Sequence, residues 1–121
     1  MESIKKYIDY AIELEHINQM GLSHGNNLRR NNKLADKLRA IAKNIELKTP
    51  EYKRAFAELL SHSNSNVRIW SAHHMLEVMN YDDEERKTAL LIIKDSSIDC
   101  YGEKLWLNDW FTNNPQDKLL L

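Results

Sequence analysis

Cysteine is almost missing from this 121-residue chain, where Cys100 stands alone. That excludes an internal disulfide framework and a cysteine-based metal site, and it suits a reducing compartment. Glycine (three residues) and proline (two) are nearly as scarce, so few positions force the chain to turn. Alternating β-branched runs are absent, whereas Leu, Ala, Lys, Glu and Ile abound, which selects an all-α class. No apolar run reaches membrane-spanning length. Asp9, Glu13 and Glu15 interrupt the apolar positions of the first twenty residues, so a signal-peptide core is not expected there. A cytoplasmic protein with no membrane partner is the expectation. The chain also lacks a phosphate-cradling glycine loop, a nucleophile elbow and the HExxH spacing of metalloproteases.

The length suits one domain, residues 1–121, burying about two thirds of its unfolded surface. Its most informative stretch is residues 61–80, SHSNSNVRIWSAHHMLEVMN. At about 100° per residue, Val67, Val78, Ser71, Met75, Met79, Ala72, Leu76 and Ile69 fall on one arc of roughly 200°, with Trp70 and His74 at its margin. Only His73, Glu77 and Asn80 are left to face water, so the helix should be packed on at least two sides. Ser63, Asn64 or Ser65 is placed to cap its first turn. Arg68, on the apolar arc but in that first turn, can run out past the helix end.

Around this helix the periodicity predicts five others. Residues 3–21 place Ile4, Tyr7, Ile8, Ala11, Ile12 and Leu14 on one face, and a loop containing Gly21, Ser23, Gly25 and Asn26 follows. Residues 27–46 bury Leu28, Leu34, Ala35, Leu38, Ile41, Ala42 and Ile45, making residues 1–48 an N-terminal helix pair. Thr49-Pro50 starts a third helix, with Thr as the cap and Pro at the first helical position, and a narrower face of Tyr52, Ala55, Phe56, Leu59 and Leu60. Residues 49–80 form the central pair. Asp82 and Glu85 have the spacing of a reciprocal cap opening a fifth helix, and residues 100–112 form a sixth with Trp106, Leu107, Trp110 and Phe111 on one side. These two make the pair 81–114. Pro115 ends it, leaving a tail, 115–121, that either frays or tucks onto a groove.

The alternation of a narrower outer helix with a capped, nearly all-apolar inner one, carried by Leu59-Leu60, the Ser/Asn turn, Val67-Arg68, Ser71-Ala72 and Leu76, resembles a HEAT-type repeat. It is similar to a small bacterial family of unknown function with HEAT-like helices. The departure is His73-His74, where the motif has small residues. The resemblance implies a short right-handed α-solenoid of about three stacked antiparallel helix pairs. It carries no chemistry of its own.

Candidate chemistry is thin. His16, His24, His62, His73, His74 and Cys100 are the reactive side chains, and adjacent His73 and His74 point about 100° apart, so they cannot grip one metal as an i, i+4 pair would. His74, beside the apolar arc, is expected to be half-buried with a hydrogen-bond partner. No catalytic residue, cofactor or metal is expected, and the chain reads as a non-enzymatic binding module.

Charge supplies the partner expectations. Residues 1–61 hold 11 basic and 8 acidic side chains and residues 62–121 hold 6 and 10, giving +3 and −4. The acidic half suits a decoy for a basic, nucleic-acid-cleaving toxin, as in a bacterial immunity protein acting as a monomer. The residues expected to meet that partner are Glu77, Asp82, Asp83, Glu84, Asp95, Asp99 and Glu103. The alternative is a nucleic-acid binder that uses an anion-binding face of Arg29, Arg30, Lys33 and Lys37. The absence of aromatic residues interleaved for base stacking counts against it.

Overall fold

A computed structural model describes residues 1–21 and 25–121. Among these residues seven α-helices follow in order: α1 (Glu2–Met20), α2 (Asn27–Glu46), α3 (Pro50–Ala57), α4 (Ser65–Glu77), α5 (Asp83–Ser96), α6 (Tyr101–Asn113) and α7 (Pro115–Lys118), with a 3-10 turn, Glu58–Ser61, continuing α3. No strand occurs among the described residues, and the fold is all-α. None of these helices is long and apolar enough to cross a membrane.

The first hairpin forms for the reasons its periodicity gives. α1 buries Ile4, Tyr7, Ala11, Leu14 and Ile17, and α2 answers with Leu34, Leu38, Ala42 and Ile45. Leu28 departs from the expected face and is 56% exposed, while Asn27 beside it, about 100° round the helix, is buried instead. Gly21 and Gly25, on either side of the connection, adopt φ of 94° and 58°, values that cost a residue without a β-carbon nothing. Asn27, itself buried, donates its side-chain amide to the Gly21 carbonyl at 3.0 Å and closes the hairpin. Ser23 and His24 lie outside the described residues.

Pro50 opens α3 as expected, although Thr49 supplies extended backbone and its side chain makes no capping hydrogen bond. The helix tightens into the 3-10 turn, which buries Leu59 and Leu60. A tighter turn of this kind commonly finishes a helix by satisfying its last carbonyls.

α4 is the centre. It packs on α1, α2, α3, the 3-10 turn and α5, and it buries Val67, Ser71, Ala72, His74, Met75 and Leu76. Of the three candidate caps, Asn64 is the one used: its Oδ1 accepts from the backbone amides of Asn66 at 2.8 Å and Val67 at 3.1 Å. The same turn is tied to α1, since Asn64 Nδ2 donates to Glu15 at 3.1 Å and Asn66 Nδ2 donates to the Ala11 carbonyl at 2.8 Å. Arg68 folds back past the helix start and donates to the carbonyls of His62 and Ser63 at 2.7 and 3.0 Å. Its charge thereby leaves the apolar arc.

Asp82 caps α5, its Oδ1 accepting from the Glu85 amide at 3.0 Å. α5 then buries Ala89, Leu90 and Ile93, whereas α6 buries only Leu107. The tail is neither wholly frayed nor wholly docked. It forms α7, with Asp117 buried and Leu120 packed on the core, while Leu119 is 87% exposed.

Candidate functional site

A cleft of about 470 Å³ lies between the solvent edge of α4 and the start of α6, walled by Ile69, Trp70, His73, His74, Cys100 and Glu103 among others. Its two histidines are in opposite environments. His74 turns inward, and the Tyr7 hydroxyl stands 2.6 Å from its Nδ1. Burial lowers the His74 pKa to about 4, so the ring is neutral near pH 7, and its tautomer sets which of the two groups donates. Burial also pushes the Tyr7 phenol well above its ordinary range. The expected half-buried histidine with a partner is found here, more deeply buried than expected at 4% exposure.

His73 was expected in water and is not there. Its side chain is 13% exposed because α6 lies across it, with Nε2 donating to Glu103 at 2.6 Å and Nδ1 standing 3.4 Å from Glu77. Burial alone would lower its pKa, but hydrogen bonds and charge from Glu103 and Glu77 outweigh that and raise it to about 9. His73 is therefore an imidazolium between two carboxylates. Glu77 has further partners: the Trp106 indole donates to it at 3.0 Å and Arg39 approaches to 3.5 Å. Burial would raise the Glu77 pKa, yet His73 and the Trp106 hydrogen bond hold it below the ordinary value.

These contacts sort the seven acids. Glu77 and Glu103 are brought together, but on His73, where they hold helices to one another. Asp82 caps α5. Asp83 and Glu84 are exposed at the start of α5, and Asp95 and Asp99 are exposed at and just beyond its end. Twelve residues of helix place Asp95 about 18 Å from Asp83 along the axis, so the exposed acids form two separate groups. On α2, Arg29 and Lys33 are exposed. Arg30 pairs with Glu13 at 3.3 Å, and Lys37 lies over the Tyr10 ring at 5.2 Å.

A second surface was not anticipated. Leu91 and Ile98, 44% and 72% exposed, line a shallow cleft of about 480 Å³ with Lys94, Asp95 and Lys104. Tyr101 and Leu105, one turn apart on α6, are also exposed. The signal for it in the sequence is the run 89–93, Ala-Leu-Leu-Ile-Ile, whose apolar residues exceed what one helix face can bury. His16 and Cys100 are exposed, and His62 accepts from the Asn64 amide at 3.0 Å through Nδ1. Among the described residues no three His, Cys, Asp or Glu side chains are grouped to hold a metal ion. No family model, curated protein or solved structure matches this chain.

Proposed function

We propose that this chain is a non-enzymatic protein-binding module of HEAT-like type, acting as a bacterial immunity protein that binds and neutralises a nucleic-acid-cleaving toxin. The observation that carries the reading is the α5–α6 surface, where exposed Leu91 and Ile98 lie beside Asp95, Lys94 and Lys104. An apolar centre with a charged rim is the composition of a protein interface. Asp83, Glu84, Asp95 and Asp99, all exposed, add the negative field that would draw in a basic partner. The HEAT-like part of the proposal rests on α3, the Ser/Asn turn and the capped inner helix α4. A regular three-pair stack would set α1 against α3, whereas α1 packs on α4, so the proposed solenoid is at most an irregular one.

The test uses a toxin encoded beside this chain. Its nucleic-acid cleavage should stop at one equivalent of the protein, and Ile98→Asp should weaken inhibition by about tenfold or more, the loss expected at a buried interface anchor. Low-salt titration with duplex and single-stranded nucleic acid provides the opposing outcome. Binding that falls steeply with salt and disappears in Arg29→Glu/Lys33→Glu, with no effect on any toxin, would replace this reading with nucleic-acid binding by the α2 face.

A further inference from the structure

α6 and α7 are held by a mixture of half-buried aromatic packing and polar contacts. α6 buries one side chain, Leu107, as the shorter α3 buries only Phe56, where α4 buries six residues, and Trp106, Trp110 and Phe111 of α6 rest half-buried against the core. Its contacts with α4 include two polar ones, His73 Nε2 to Glu103 at 2.6 Å and Trp106 Nε1 to Glu77 at 3.0 Å. Its far end is held through α7: Trp110 Nε1 donates to Asp117 at 2.8 Å, and the same buried carboxylate pairs with Arg86 of α5. Trp106 and Trp110 stack with centroids 5.0 Å apart and planes 10° from parallel, bracing α6 along its length. The connection 97–100 leads into this unit, with Ile98, Asp99 and Cys100 exposed.

We propose that α6 and α7 form one arm, hinged at residues 97–100 and latched by His73–Glu103 onto α4 and by Arg86–Asp117 onto α5, which opens as a unit while α1 to α5 stay folded. A segment with few buried apolar contacts opens at lower free energy than a core helix, and it opens cooperatively when its parts brace one another. Opening withdraws Cys100 and Glu103 from the cleft beside Trp70 and uncovers the two stacked indoles. The charged and titratable groups facing His73 are Glu77 and His74 from α4, Glu103 from α6, and Arg39 of α2 acting through Glu77. This inference does not depend on the toxin-binding reading.

Hydrogen exchange by mass spectrometry on the full chain at pH 7 tests it. Residues 101–118 should exchange together, about tenfold or more faster than 65–77. His73→Gln and, separately, Arg86→Gln should each speed exchange across all of 101–118 while leaving 65–77 within about twofold of wild type. Arg86→Gln carries the test alone if His73→Gln fails to fold. Protection of 101–118 equal to that of 65–77, acceleration confined to the mutated end, or a parallel rise in 65–77 would each overturn the arm.

Discussion

Successive residues on a helix point about 100° apart, and that angle sends His74 into the core against Tyr7 while His73 turns outward to Glu77 and Glu103. The consequence is opposite linkage to pH. His73, raised from 6.5 to about 9 in the fold, contributes stability that is fully present below pH 6.5 and is lost as pH rises through about 9. His74, lowered from 6.5 to about 4, is bound neutral, so stability falls as pH drops below 6.5 toward 4, where the unfolded chain takes up the proton first. Melting temperature measured from pH 4 to 9.5 should therefore peak near pH 6.5, and His73→Gln should flatten the alkaline limb alone. A wild-type alkaline limb as flat as that of the variant would mean that His73 is not held as an imidazolium. Leu76 tests the core at the same scale. It is 5% exposed on α4, and Leu76→Ala should cost about 2 to 5 kcal/mol by chemical denaturation, against a few tenths if α4 were not central. The place of His74 was legible from its position on the arc, but that of His73 was not. Its covering residue, Glu103, is 30 positions away, and no periodicity within α4 reports a helix that crosses it.

At the scale of elements, caps and stops were the most legible features because they are local chemistry. Asn64, Pro50 and Asp82 sit where the sequence places helix starts. Asn64→Ala should cost about 0.5 to 2 kcal/mol, since one oxygen serves two first-turn amides. A loss below that range in thermal or denaturant melts would show that the Ser/Asn turn is fixed by the remaining tie from Asn66 to the Ala11 carbonyl of α1 and not by Asn64. The 3-10 ending of α3 and the helix α7 were not legible. The first depends on how Leu59 and Leu60 reach the core, and the second on a carboxylate, Asp117, whose partners Arg86 and Trp110 belong to other helices. Periodicity places Trp106, Leu107, Trp110 and Phe111 on one side of α6, but it does not show that the two tryptophans are half-buried and bonded through their indole N–H groups to Glu77 and Asp117. An indole fits such a boundary because one edge is polar and the rest is not.

For the whole molecule, the division of charge between the two halves is a sequence property, but how it is distributed is a structural one. Glu77 and Glu103 are engaged on His73, leaving Asp83 and Glu84 at one end of α5 and Asp95 and Asp99 at the other. Asp83→Lys/Glu84→Lys should leave helicity intact, because neither residue makes the α5 cap. With a basic partner the double variant should associate more slowly and with weaker salt dependence, measurable by stopped-flow mixing. Unchanged kinetics would remove these two acids from the steering surface. The central claim is that a protein partner docks on the α5–α6 face, and ¹H–¹⁵N spectra of the full chain titrated with the unlabelled toxin test it most directly. Perturbations clustered on residues 91–105 are the predicted result. Perturbations clustered on residues 29–37, with 91–105 unmoved, would contradict it.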